Sequence, residues 1–165
     1  MKKKVNWFYP FLLLALMVTI YCFSAQVADD SSLTSGRVCR FLAQHFFSGY
    51  WELSSDAQNK VVDGLSFVVR KGAHFSEYAL MGFLWYLWLH RVKLAPLIAF
   101  TATVLYSASD EFHQLFVPGR SGEVRDVLVD SSGAACGIIV GFVLICVIYC
   151  VRRREIVYWG TWESE

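Results

Sequence analysis

Four long apolar stretches, separated by short blocks of charge, organise this chain. The first runs from Trp7 to about Val27, the second from Gly72 to Leu89, the third from Leu94 to Ser109 and the fourth from Val127 to Val151. Each is close to the roughly 20 residues that a helix needs to cross a bilayer. The third is the shortest, and Pro96 suits its first helical turn, where a missing N–H costs nothing. The expected fold is therefore all-α: an integral membrane bundle of four transmembrane helices (about 7–27, 72–89, 94–109 and 127–151) forming one domain over 1–165.

The intervening segments refine this picture. Lys2, Lys3 and Lys4 precede the first stretch, as they would in a signal peptide. Small residues do not fall together at the two positions a cleavage site requires, so the stretch is read as an uncleaved first helix. Between the first two spans, Val38, Phe41, Leu42 and Phe46 recur at helical spacing behind Ser35, a candidate N-cap. An amphipathic helix on the outer membrane surface or on the bundle is expected there. A second helical stretch, around Asp56 to Val69, leads into the second span.

Orientation follows from lysine and arginine in the short segments. The N-terminal tail, the connection holding Arg91 and Lys93, and the C-terminal tail with Arg152, Arg153 and Arg154 are basic. An even number of crossings puts all three on one side, expected to be the cytoplasm. The segment 28–71 and the hairpin 110–126 then face outward.

Composition agrees: 56% of the residues are hydrophobic and 18% charged, too apolar for an ordinary soluble domain. A net charge of +1 gives no reason to propose nucleic acid as a partner. Of the five cysteines, Cys22, Cys136, Cys146 and Cys150 lie in apolar stretches and Cys39 stands alone in a polar loop. They form no metal spacing and no disulfide framework, and are read as small buried apolar side chains. No phosphate loop, dinucleotide motif or Ser or Cys nucleophile beside a base is present.

The candidate chemistry lies in the ionisable residues at the mouths of the spans, where charge is costly without a partner. Lys71, His74, Glu77, Tyr78 and Met81 share one face of the second helix. Thr103, Ser107, Asp110, Glu111 and Gln114 share one face of the third. Asp126 and Asp130 are one turn apart on the fourth, above Gly133, Gly137 and Gly141, a double GxxxG ridge suited to close helix packing. These three faces are expected to meet in one outward polar pocket lined by His74, Glu77, Asp110, Glu111, Gln114, Asp126 and Asp130. Pro118-Gly119 predicts a type II turn that folds Arg120 over its mouth. There the Arg120 fork would meet phosphate or carboxylate, or neutralise Asp126 or Asp110. His74 with Glu77 also reads as a structural pair, and His113 falls off the polar stripe.

The segment Arg70-Lys71-Gly72-Ala73-His74-Phe75-Ser76-Glu77-Tyr78 resembles the first signature of the VanZ-like membrane proteins. Asp110-Glu111-Phe112-His113-Gln114-Leu115-Phe116-Val117-Pro118-Gly119-Arg120 resembles the second, and 126–133 the third. Phe23-Ser24-Ala25-Gln26 is similar to the family's short Phe-Ser-x-Gln motif. The resemblance implies a bacterial cell-membrane protein, in a family named after a member linked to teicoplanin resistance. It implies no defined reaction, so these residues carry over as signature positions and not as assigned catalysts.

Three functions fit. In the first, the pocket engages an anionic head group, of a membrane lipid or a lipid-linked envelope precursor, through Lys71, Gln114, Arg120 and Asp130. In the second, the protein is a membrane enzyme in which His74 or Glu77 is a general base and Asp110, Glu111 and Asp126 hold a divalent cation or act as acids. In the third, it is a structural or partner-binding bundle. The sequence names no substrate, cofactor, metal or oligomeric state.

Overall fold

The computed structural model describes residues 7–160, with side chains for 7–27 and 35–152. Lys2, Lys3 and Lys4, and the side chains of Arg153 and Arg154, lie outside the described residues. The expected all-α fold is observed. Among the described residues five α-helices follow one another: α1 (Phe8–Ser24), α2 (Ala28–Phe46), α3 (Ser55–Leu89), α4 (Ala95–Gln114) and α5 (Val124–Gly160). A single 3-10 turn, Tyr50–Glu52, joins α2 to α3.

The central element is α3, which packs against all four other helices. Its 35 residues, at 1.5 Å rise each, span about 52 Å, well beyond the hydrocarbon thickness of a bilayer. The two stretches expected at 56–69 and 72–89 are thus one continuous helix. Its start is fixed by Ser54, whose backbone is extended and whose Oγ accepts the Ala57 N–H at 3.4 Å.

Two apolar clusters hold its C-terminal half. Tyr78, Met81 and Leu84 meet Leu13 and Ile20 of α1. Tyr86 meets Ala95 and Ala99 of α4 and Ile138 of α5. The glycine ridge packs as its spacing predicts: a Cβ at Gly133 or Gly137 would fall on the carbonyl oxygens of Phe75 and Ala79. Gly82 reciprocates from α3, where a Cβ would stand 2.6 Å from the Ala134 carbonyl oxygen. Backbones at this separation allow no side chain between them.

The N-terminal half of α3 carries the expected helix α2, and here two expectations are corrected, for Ser35 and for the cysteines. Ser35 is not an N-cap. The chain turns extended at Val27, so α2 already begins at Ala28. The face that packs on α3 is Cys39 and Ala43, buried with Tyr50 and Val62, because small side chains permit the close approach. Val38, Phe41 and Phe46 remain 46%, 56% and 81% exposed. Finally, Cys39 sits within a helix and is the one buried cysteine; Cys22, Cys136, Cys146 and Cys150 are exposed on helix surfaces.

Pro96 stands in the first turn of α4 as expected, after Leu94 in the left-handed region (φ 66°). Among the described residues, one helix is long and apolar enough to cross a membrane by length and composition, Val124–Arg152 of α5. The 17-residue α1 is a shorter apolar helix.

Candidate functional site

The polar faces of α3, α4 and α5 meet where α4 ends and α5 begins. The hairpin between them turns at Val117-Pro118-Gly119-Arg120. Gly119 has φ 77°, and the Arg120 N–H donates to the Val117 carbonyl at 3.1 Å, as a type II turn requires. Two adjoining cavities open here, of about 240 and 270 Å³, with Arg70, His74, Gln114 and Arg120 in the walls of both. The first reaches between α1, α2 and α3, past Ile20, Phe23, Val38 and Val69, to Glu77 and Asp110. The second is walled largely by charge: Arg70, Lys71, Arg120 and Arg125 against Glu123 and Asp126.

Seven of the expected residues therefore line these spaces: Lys71, His74, Glu77, Asp110, Gln114, Arg120 and Asp126. Glu111 and Asp130 line neither cavity and are buried behind them, 5% and 1% exposed. The α4 stripe is buried throughout, with Thr103, Ser107, Asp110, Glu111 and Gln114 all inside.

Each buried acid has a distinct set of partners. Ser107 Oγ donates to Asp130 Oδ2 at 2.6 Å. Gln114 Nε2 donates to Asp110 Oδ2 at 3.3 Å and to Glu111 Oε1 at 3.2 Å. The Glu123 N–H donates to Glu111 Oε2 at 2.9 Å, docking the hairpin on α4. Gly122 enables that docking, since a Cβ there would strike the Glu111 carbonyl oxygen. Burial pushes the Glu111 carboxyl above its ordinary range, and the Glu123 N–H opposes the rise.

Two pairings differ from those the sequence suggests. His74 faces Asp130 of α5, with Nδ1 3.5 Å from Oδ1, rather than forming a pair with Glu77. Helix rotation decides this, because the glycine ridge draws α5 against the same side of α3. Asp126 is taken by Lys71, whose Nζ also lies 5.5 Å from the centre of the Phe67 ring. Arg120 forms no ion pair with Asp126 or Asp110, although the Asp110 charge is felt at its guanidinium. Its Nε donates to the Gln26 carbonyl at 2.9 Å and its Nη2 to the Phe23 carbonyl at 3.1 Å. Helix C-termini leave carbonyls without intrahelical partners, and Arg120 supplies donors to those ending α1. Burial lowers its pKa, but a guanidinium remains charged.

Sequence reasoning gave no role to Phe23 and Gln26, although the Phe-Ser-x-Gln motif marks them, because their contribution is backbone carbonyls. Arg70 and Arg125 were also missed: an arginine outside a polar helical stripe carries no signal of where the fold will put it. His113, off the stripe as expected, stacks at 4.8 Å on the Tyr21 ring of α1.

The described His, Cys, Asp and Glu residues contain one group with the spacing of metal ligands: His74, Glu111 and Asp130, whose ligand atoms lie within 4.8 Å of one another. The trio Asp110, Glu111 and Asp126 does not assemble, because Lys71 holds Asp126 at the cavity rim.

A family model described as VanZ/LLP1 matches residues 9–149 of the chain. No curated protein and no solved structure matches it.

Proposed function

The chain belongs to the VanZ/LLP1 family, and on that premise we propose that it is a multi-pass protein of the bacterial cell membrane whose polar cavities take an anionic head group. The head group belongs to a phospholipid or to a lipid-linked envelope precursor. By engaging it, the protein alters susceptibility to glycopeptide antibiotics of the teicoplanin type.

The membrane reading has four spans, near 7–27, 72–89, 94–109 and 127–151, with both termini cytoplasmic and the hairpin outside. It is supported by large apolar side chains left exposed along three helices: Leu14 and Val18 of α1, Leu97 and Leu105 of α4, and Phe142 and Val147 of α5. A soluble protein does not leave such a surface bare. A single cysteine placed at Ser121 in a cysteine-free background is expected to react with an impermeant maleimide in intact cells. Labelling only after the inner membrane is opened would reverse the topology.

The observation that carries the ligand reading is the charge of the second cavity. Lys71 and Arg120 are committed to Asp126 and to α1. Arg70 and Arg125 also line it, and among the described residues neither has a hydrogen bond or ion pair. Two uncommitted guanidiniums beside an apolar recess suit a phosphate-bearing head with its chain alongside. Each basic side chain contributes about 1 kcal/mol toward an anionic lipid, so Arg70→Ala with Arg125→Ala is expected to weaken phosphatidylglycerol retention roughly 30-fold. Native mass spectrometry of protein released from mixed phosphatidylglycerol and phosphatidylcholine nanodiscs measures this. Equal retention by the double variant would remove the basis for the proposal. The rival enzyme reading keeps one observation of its own, the imidazole of His74 beside two buried carboxylates.

A further inference from the structure

We propose that His74, Glu111 and Asp130 form a binding site for a single divalent cation of the manganese or zinc kind. A buried, incompletely satisfied contact lies at the centre of this trio. Asp130 has no exposed side-chain surface, and its Oδ2 is occupied by Ser107. Its Oδ1 is buried without a hydrogen bond, and so is Nδ1 of His74. These two atoms face each other at 3.5 Å, within ion-pair reach but longer than a well-formed hydrogen bond. A buried carboxylate oxygen left in this state is costly unless something else meets it.

A cation meets it without rearranging the helices. One imidazole nitrogen and one oxygen from each carboxylate lie within 4.8 Å of one another. Ligands about 2.0–2.2 Å from a common metal stand roughly 3–4 Å apart, so a side-chain adjustment of about an ångström closes the set. Nitrogen and carboxylate donors suit manganese and zinc, and two carboxylates with a neutral imidazole balance a double charge inside a poorly polarisable bundle.

The surroundings are those of metal ligands. Ser107 fixes the Asp130 carboxylate so that Oδ1 turns toward His74. Gln114 and the Glu123 N–H fix Glu111. Each ligand comes from a different helix or helix end, α3, α4 and α5, so the ion would join the three signature segments. His74 also lines both cavities, which leaves a side of the ion open to a small ligand or water. This site goes beyond the head-group reading and is tested without lipid substrate.

Manganese is the probe, because the five free thiols would compete for zinc. Full-length protein in a non-ionic detergent is stripped with chelator and titrated with Mn²⁺, with free Mn²⁺ followed by its EPR signal. One equivalent should bind, and the unfolding temperature should rise with it. Asp130→Asn and Glu111→Gln should each weaken binding about 100-fold, whereas Asp126→Asn, which removes a nearby charge but no ligand, should weaken it by about tenfold at most. Should the first two variants fail to accumulate, pulsed EPR of the native protein decides, through coupling of bound Mn²⁺ to an imidazole nitrogen. Absence of stoichiometric binding, absence of nitrogen coupling, or undiminished affinity in Asp130→Asn overturns the site. Equal loss in Asp126→Asn places the ion at the cavity rim and overturns it as well. Because the double arginine variant retains all three ligands, its manganese affinity separates failure of this site from failure of the head-group reading.

Discussion

Replacing Gly137 by Val is expected to prevent the protein from accumulating in cells. At this position a Cβ would coincide with the Ala79 carbonyl oxygen and crowd the Phe83 backbone nitrogen. Both are main-chain atoms of a central helix, so no rotamer change can relieve the overlap. The helices must part, and α3 with α5 loses the contact that also sets His74 against Asp130. Overpacking of a close interface costs about 3 kcal/mol when neighbours can shift, and more where they cannot. Gly64→Ala on α3 is the matched control. A Cβ there meets nothing within 4 Å, and replacing a helical glycine gains up to about 1 kcal/mol. Membrane abundance and thermal unfolding in detergent measure the pair. A Gly137→Val protein as abundant and as stable as Gly64→Ala would mean that the α3–α5 interface is not packed through this ridge.

Arg120→Ala is expected to detach the end of α1 from the hairpin. Two charge-assisted hydrogen bonds to the Phe23 and Gln26 carbonyls are lost, and their loss costs about 3 kcal/mol. In a bundle of this size that lowers the unfolding temperature by about 8 °C. Arg120→Lys should recover less than half of the shift, because an ammonium cannot present the planar fork that reaches two carbonyls. Limited proteolysis between α1 and α2 should accelerate in both variants. This outcome separates two roles for the residue. If Arg120→Ala unfolds like the native protein but fails to retain anionic lipid, the guanidinium serves the ligand, and the tie to α1 contributes nothing.

The difference between these two residues illustrates what each level of description decides. Gly133, Gly137 and Gly141 are legible as packing from spacing alone, because a small residue every fourth position has one physical use, close helix approach. The α4 stripe from Thr103 to Gln114 was legible for the same reason: polar side chains on one helical face must turn inward together. The type II turn follows from Pro118-Gly119, since proline fixes its own φ and glycine accepts the positive φ that comes next. Local chemistry and periodicity thus determined the helical segments and the inward polar faces of α3, α4 and α5.

Partnership was decided elsewhere. Nothing local tells His74 to face Asp130 rather than Glu77, Lys71 to take Asp126, or Arg120 to reach Phe23 and Gln26, which lie 97 and 94 residues away along the chain. Those choices depend on helix rotation and depth, which the glycine contacts of α5 with α3 fix after the helices form. In α2 the apolar face expected from periodicity is not the face that packs on α3. Periodicity identifies an apolar side, but Cys39 and Ala43 allow a closer approach to α3 than Phe41 and Phe46, so the small residues are buried and the large ones left outside. Sequence determined which residues needed partners; only the tertiary structure decided which partners they received, because charge pairing depends on distances of a few ångströms that helix packing alone sets.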